Sequence, residues 1–478
     1  MLGSFVWAWR CVLALCSGVA VFKPVGILVH RKACWQLANG VVHGTLVMKF
    51  VMAVLQVFEE PPVMRLLCFL IGLPGVLSAA EPTVVSFDDP LPFGQSPVDY
   101  LGCKTDDPVA RLDDRLKRGE ARLEAVSGRG YLDAVLRSLR IPISSQLLVY
   151  SKTAVNQRLI APRTPRAIYF NDDVSVAWVP GTRELELLSV DPRKGAMFYV
   201  LTQPAASAGA APRFHRRSSC LACHIGRTTL SVPGGMVRSF LVESSGKPLE
   251  GYSRVTGTTR LGNRWGGWYV TGDLGRVTHM GNLLSREENR RHRSESSFRS
   301  SLKQLEGLVD LSGYLSSGSD VVAHLVLDHQ LHGQNLITRV CYEHRLGRRS
   351  DAEDRLLRYL LLADVPRWSG LVRGTSGFAK WYQEQGPRGG DGRSLRQLDL
   401  SDRLFRHRLS PLVYSPQLAA MPEAPRGRLA RRLHAVLSGR GVGGLETVMT
   451  ASERAEVRSI LSATGAELPV EFRVSCER

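Results

Sequence analysis

The chain contains a short motif whose residue types and spacing could hold a cofactor covalently. Cys220 and Cys223 are separated by two residues, and His224 follows directly. This C-x-x-C-H pattern is typical of haem c attachment, because each thiol can add to one vinyl group at the same edge of a porphyrin. The histidine then lies where it can bind the iron as the proximal ligand. The sequence therefore predicts one covalent haem c per chain, held by Cys220, Cys223 and His224.

Two other uses of a C-x-x-C pair fit the sequence less well. A structural zinc site needs four ligands, usually from a second C-x-x-C or a histidine pair, whereas the remaining cysteines stand alone. A thioredoxin-type redox pair needs a strand-to-helix turn in a compact α/β unit. Here the pair follows a small-residue stretch at 205–211 and a basic run at 213–217. Haem attachment is the interpretation we favour.

Residues 64–80 have the pattern of a secretory signal peptide. A methionine and an arginine precede an apolar run at 66–77, and small residues lead to a cleavage point after Ala80. The run is too short to anchor the chain across a bilayer. The pattern predicts a mature chain that begins at Glu81 in the periplasm or another extracytoplasmic compartment of a bacterium.

Residues 1–63 lie upstream of this signal and have two explanations. The start codon is assigned too early, or the segment is a genuine membrane-associated extension. We favour the first, because a signal peptide with its own methionine is otherwise hard to explain. Membrane association is expected only if residues 1–63 are genuine.

The charge of the chain bears on its partners. There are 62 Lys and Arg residues against 44 Asp and Glu residues, a formal net charge of +18. The bases are spread along the chain, which is consistent with a solvated basic surface or with steering toward an acidic redox partner protein. An exported chain without a groove-reading motif is not expected to bind nucleic acid.

Hydrophobic periodicity divides the rest of the chain into three regions. Residues 81–165 form a helical lead-in, residues 166–285 a β-rich region that contains the haem motif, and residues 286–478 a helical region. The sequence therefore predicts an α+β fold, with an antiparallel β-rich region that carries the haem c motif and a mainly α-helical C-terminal region.

Individual elements can be predicted within these regions. Helices are expected at 106–126, 131–139, 321–340, 351–362, 426–437 and 452–461. Strands are expected at 168–170, 174–179, 185–190, 197–202, 228–232, 236–242 and 265–271. The stretch 370–400, rich in Gly and Arg, is expected to be a long loop.

The iron needs a sixth ligand or an open site, and His279 and Met280 are the candidates. They lie in a loop bounded by Gly275 and Gly281. A methionine ligand would raise the reduction potential and a histidine ligand would lower it. The alternative is that His279 hydrogen-bonds within the loop and Met280 fills the core.

Other residues have a chemical and a structural interpretation. His329 and His332 share a helix face and could hold a second metal, although no further ligand accompanies them. The turn at 171–173 offers two carboxylates that could bind calcium, but the sequence Asn-Asp-Asp is more typical of a simple turn.

Arg264, Trp265 and Trp268 could contact the porphyrin or form a strand pair with an aromatic contact. Cys103 could form a disulfide with a C-terminal cysteine, either Cys341 or Cys476.

Several longer strings resemble a family of large secreted bacterial cytochrome c domain proteins. They are residues 162–173, 220–224, 264–272, 279–282, 328–339 and 374–378. The resemblance spans most of residues 145–465 and implies one covalent haem in an exported protein, with no established activity. The segments 332–334 and 411–414 differ in sequence from the family pattern, so the resemblance assigns no role to His332.

Together these patterns predict an extracytoplasmic c-type cytochrome with one covalent haem that transfers single electrons. The alternative is a haem c enzyme with an open distal site, of the peroxidase or small-molecule reductase type. A third class is a haem-based sensor or scaffold without turnover. The length of the chain beyond what a haem domain needs keeps the two alternatives open.

Overall fold

A short strand and two helices come first in the part of the chain that the structure describes. The structure is a computed structural model that describes residues 82–203, 211–295 and 301–474. The first elements are β1 (Thr83–Val84), α1 (Pro108–Lys117) and α2 (Leu132–Ser138). The Asp107 carboxylate caps α1 by accepting from the Val109 amide over 3.0 Å. Helix α1 is shorter than predicted because the chain turns at Gly119, which has a φ of 72°.

A six-stranded antiparallel sheet is the central element, and its strands pair in the order of the sequence. The strands are β2 (Leu147–Val149), β3 (Arg166–Phe170), β4 (Val174–Trp178), β5 (Glu184–Asp191), β6 (Gly195–Thr202) and β7 (Phe214–Arg216). Turn residues join the strands, such as Asn171, whose side-chain oxygen accepts from the backbone amides of Asp173 and Val174. The predicted meander is therefore present, with one further strand on each side.

The two faces of this sheet have different surroundings. On one face large side chains such as Tyr169, Val176 and Leu187 are fully buried in a core shared with α1 and α2. On the other face Ile168, Ala177 and their neighbours are only half-buried. Because side chains alternate along a strand, this second face is a continuous surface that the protein covers only in part.

The C-x-x-C-H motif and a β-hairpin follow the sheet. The motif forms the one-turn helix α3 (Leu221–His224), and the hairpin consists of β8 (Val237–Val242) and β9 (Pro248–Val255). Two predicted strands are absent. Residues 228–232 form turns that begin with a 3₁₀ turn, and residues 265–271 run irregularly through the core because Trp265 has a φ of 67° and Gly267 a φ of 84°.

Helices dominate the C-terminal part, as predicted. After α4 (Arg286–Ser294) they are α5 (Val321–Arg345), α6 (Ala352–Leu360), α7 (Phe378–Glu384), α8 (Pro416–Ala419), α9 (Glu423–Leu437) and α10 (Ala451–Ala463). Helix α7 lies within the stretch predicted to be a loop, because Phe378 and Tyr382 on successive turns are both buried. No helix among the described residues is long and apolar enough to cross a membrane.

Helix α5 is the axis of the C-terminal part and is buried along almost its whole length. Its first turn is capped by Asp320, whose carboxylate accepts from the amides of Val322, Ala323, Thr375 and Ser376. The predicted helix start is thus confirmed, and the cap also fixes the loop before α7.

The start of the described chain is joined to the end of α5. Strand β1 pairs in parallel with β10 (Arg348–Arg349). The fully buried Arg339 donates to the carbonyl oxygens of Ser86, Asp89 and Leu230 and is paired with Glu343 at 2.6 Å. The described residues therefore form an α+β fold with antiparallel sheets and with helices mainly in the C-terminal part.

Candidate functional site

The two thiols and the imidazole of the motif lie at one cavity. A 3₁₀ turn over Ser218–Cys220 leads directly into α3, so Cys220 ends the first turn and Cys223 and His224 belong to the second. Cys220 is half-buried, Cys223 is exposed, and both are free thiols. Burial raises the pKa of Cys220, with Glu186 acting in the same direction. All three side chains line the cavity wall.

His224 is held in one tautomer by a backbone contact. Its Nδ1 is 2.9 Å from the carbonyl oxygen of Gly234, and because a carbonyl only accepts, Nδ1 carries the proton. The ring packs on Phe198 with 4.6 Å between centroids. Burial lowers the pKa of His224 to about 4, the Gly234 contact opposes the shift, and Arg166 and Arg238 add to it. The imidazole is therefore neutral near pH 7 and keeps its Nε2 lone pair for a ligand or metal.

The cavity lies between the half-buried sheet face, the start of β8 and helix α5. Its empty space of about 1160 Å³ includes the solvent-filled mouth. The cavity is therefore an open cleft that brings the motif, the sheet face and α5 to one place.

One wall of the cavity is the sheet. Ile168 pairs with Ala177, which pairs with Glu186, and in the next row Ser175 pairs with Leu188. Directly paired residues point to the same side of an antiparallel sheet, so these side chains form one mainly small and apolar surface. Such a surface suits the face of a planar apolar ring.

The opposite wall begins with Met236 and continues along β8. Met236, Arg238 and Phe240 are alternate residues, and all three line the cavity. The Arg238 guanidinium stacks over the rings of Phe240 and Tyr252 at 5.2 and 5.0 Å, without a carboxylate partner among the described residues. On the sheet side Arg166 is 3.4 Å from Glu186, and its Nε is buried without a hydrogen-bond partner.

These residues fit a covalently held haem. Two thiols at one edge, a neutral imidazole with a free Nε2, and apolar walls are the features that haem c binding requires. Arg166 and Arg238 supply positive charge that carboxylate groups of a porphyrin could pair with. The donor set therefore agrees with the motif.

The two predicted distal ligands lie elsewhere. His279 is fully buried, with its ring 5.7 Å from that of Trp265. The Met280 sulfur is 3.6 Å from the Ser239 hydroxyl. Neither residue lines the cavity, and iron binding by either of them stays a prediction.

The aromatic and arginine residues at 264–268 separate into two roles. Trp268 lines the cavity and donates from its indole nitrogen to the Arg238 carbonyl oxygen over 3.0 Å. Arg264 and Trp265 point to the other side and both donate to the buried carboxylate of Asp328, at 3.1 and 3.0 Å. Instead of the predicted strand pair, Trp268 forms one isolated antiparallel bridge with Val149. A contact with a haem stays a prediction for Trp268.

The remaining candidates have structural contacts. His329 bonds to the Ser410 hydroxyl at 2.7 Å, and His332 packs edge-on against Tyr359. Within the described ranges no group of three or more His, Cys, Asp or Glu side chains could hold a metal ion.

The structure describes two of the three cysteines that were candidates for a disulfide. Cys103 and Cys341 are both free thiols, and Cys103 Sγ donates to the Tyr100 carbonyl oxygen at 3.2 Å. A disulfide between Cys103 and Cys341 is therefore absent, and Cys476 lies outside the described residues.

A second cleft lies behind the cavity. It encloses about 770 Å³ and is lined by Asp172, Asp173, Gln330 and Arg396, among others. A smaller pocket, with about 190 Å³ of empty space that includes open solvent, shares Asp173 and Gln330 with this cleft. It shares Ser175, Leu188, Leu327 and Leu331 with the main cavity. The two spaces are thus separated by one thin layer of mostly leucine side chains.

Sequence reasoning missed Met236 and Arg238. Their alternation with Phe240 in a short strand after the motif is the signal that could have found them. No protein-family model matches the chain, and no curated protein or solved structure matches it either.

Proposed function

We propose that the chain is an extracytoplasmic c-type cytochrome that carries one covalent haem and transfers single electrons. The observation that supports this most directly is that Cys220, Cys223 and His224 line one cavity, and that the Nδ1 of His224 is bonded to the Gly234 carbonyl oxygen, which leaves Nε2 for a metal. The resemblance to secreted cytochrome c domain proteins points the same way.

In this proposal the haem supplies one-electron chemistry, and the protein sets its environment. Cys220 and Cys223 hold the ring edge, and His224 is the proximal ligand. Because Cys223 is exposed, that edge lies near the surface, where a redox partner could approach. The basic excess of the chain suits an acidic partner protein.

The attachment is tested by expressing the chain in cells with the haem c maturation machinery and staining a denaturing gel for haem. The wild type should stain. Cys220→Ser and Cys223→Ser should each retain at most one thioether, and the double variant should lose the stain. Cys103→Ser is the matched control and should stain like the wild type. An exported, folded wild-type chain without a haem signal would overturn the proposal.

The second candidate is a haem c enzyme with an open distal site. It is favoured by the polar cleft behind the cavity, since a small substrate could approach the haem through the layer formed by Leu188, Leu327 and Leu331. An optical spectrum separates the two functions. A low-spin haem indifferent to cyanide and CO supports electron transfer, and a high-spin haem that binds them supports catalysis.

A further inference from the structure

The two faces of strand β8 contact different methionines, Met236 on the cavity side and Met280 on the other side. Met236, Arg238 and Phe240 face the cavity. Ser239 faces the other side, where its hydroxyl accepts from the Gly266 amide at 2.8 Å and donates to the sulfur of Met280. The strand itself therefore separates Met280 from the cavity that contains His224.

Among the residues that line the cavity, Met236 has the side chain best suited to bind a haem c iron together with His224. Besides His224 and the two cysteines, the described cavity lining includes the thioether of Met236, the carboxylate of Glu186 and several hydroxyl-bearing residues. Glu186 is paired with Arg166, and the Tyr199 hydroxyl donates to Asp107 at 2.6 Å. Thioether sulfur is an established partner of histidine in cytochrome haems.

The backbone before Met236 is fixed by close packing. A Cβ on Gly234 would lie 2.2 Å from the Asn335 side-chain oxygen, and a Cβ on Gly235 would lie 2.4 Å from Leu331. The Asn335 amide also donates to the Gly235 carbonyl oxygen at 2.7 Å. Since Gly234 is the residue that orients His224, one rigid segment positions both His224 and Met236.

We infer that Met236 is the residue that would supply the second protein ligand of the haem iron, with His224 as the first. The inference rests on the proposed function and names the sixth ligand of the same haem. A thioether ligand raises the reduction potential relative to a second histidine. With Met236 as ligand, the reduction potential would lie in the upper part of the range of c-type haems.

The test compares Met236→Leu with Met280→Leu in the haem-loaded chain. Leucine keeps the volume of methionine and removes the sulfur, so packing is retained. Met236→Leu should lose the weak long-wavelength band of thioether-bound ferric haem, become high-spin and gain CO binding in the reduced state. Met280→Leu should keep the wild-type spectrum.

A rescue variant distinguishes ligation from packing. Met236→His should restore a low-spin spectrum with a lower potential, an outcome that a purely structural role would not give. The inference fails if Met236→Leu keeps the wild-type spectrum, if Met280→Leu alone loses the band, or if the wild type is already high-spin. None of these results removes the covalent haem, whereas absence of the stain would reject the proposed function instead.

Discussion

Phe198 and His224 are in direct ring contact, with 4.6 Å between centroids and 49° between planes. Phe198 belongs to β6 in the central sheet, and His224 ends the one-turn helix of the motif. The contact joins the motif to the central sheet. It contributes to the burial of the imidazole, and burial is the main reason that the pKa of His224 is low.

The first prediction follows from this contact. Phe198→Ala should lower the reduction potential, because water beside the proximal ligand stabilises the more highly charged ferric state. Haem staining should be unchanged, and potentiometric titration gives the measurement. Phe240→Ala is the matched control, since Phe240 lies on the other wall and does not contact the imidazole. An unchanged potential in Phe198→Ala would mean that solvent already reaches the ligand.

The second prediction concerns Asp173 at the thin layer between cleft and cavity. Burial raises the pKa of Asp173 to about 6, Asp172 adds to the shift, and Arg111 and Arg396 oppose it. The group is neutral below pH 6 and negative above it, and a nearby negative charge stabilises ferric iron. The reduction potential should therefore fall as the pH rises through about 6.

Asp173→Asn should flatten this pH dependence without changing the haem spectrum. Glu467→Gln is the control, because it removes an exposed carboxylate of the same cleft. If Asp173→Asn and the wild type have the same pH profile of the reduction potential, the charge of Asp173 does not affect the haem iron.

The third prediction concerns stability in acid. Burial lowers the pKa values of His279, His324 and His329 to about 3. The unfolded chain binds protons at these groups below about pH 6.5, whereas the folded chain does not. Stability is therefore complete above pH 6.5 and falls as the pH drops toward 3, by about 1.4 kcal/mol per pH unit for each histidine.

Urea unfolding between pH 7 and pH 5 measures this slope. His324→Gln should make this slope shallower, because it removes one of the buried histidines that the unfolded chain protonates. His215→Gln, at an exposed site, should leave it unchanged. A stability that rises toward pH 5 would contradict the buried, neutral state of these groups.

The fourth prediction concerns the cap of α5. Asp320→Ala should destabilise the fold by about 3 kcal/mol or more, because it leaves several buried backbone amides without an acceptor. Asp320→Asn should cost less, since one oxygen remains. Asp310→Ala removes an exposed cap of a 3₁₀ turn and should cost about 1 kcal/mol or less. Denaturant midpoints measure all three.

The fifth prediction concerns processing. The mature exported chain should begin at Glu81, which N-terminal sequencing or intact mass determines. Ala80→Asp should block cleavage, because the position before the cut needs a small neutral residue. Recovery of a mature species that begins at Met1 would reject the mis-assigned start.

Local patterns were sufficient for much of the fold. Alternating apolar residues and turn residues predicted β3 to β6, and helical periodicity predicted the start of α5. The stretch at 265–271 was wrongly predicted as a strand, since alternating aromatics look alike in a strand and in a buried irregular segment. The difference is the left-handed backbone conformation at Trp265. Large residues rarely adopt this conformation, so nothing in the sequence predicts it.

The candidate site was predictable only where its residues are neighbours in sequence. The spacing of Cys220, Cys223 and His224 predicted that they act together, and all three line one cavity. The placement of Met236 and Arg238 depends on which side of β8 meets the sheet, and that is a tertiary property. The glycine-bounded loop at His279 and Met280 looked equally suited, because nothing local shows that β8 lies between it and the cavity.

The pairing of β1 with β10 also sets an order of events in time. Ribosomes deliver the chain from its N-terminus, so Thr83 and Val84 emerge long before their partners Arg348 and Arg349. Leu327 and Leu331, which line the cavity, also belong to α5 and arrive late. The wall of the cavity is therefore complete only once a segment far downstream of the motif has been made.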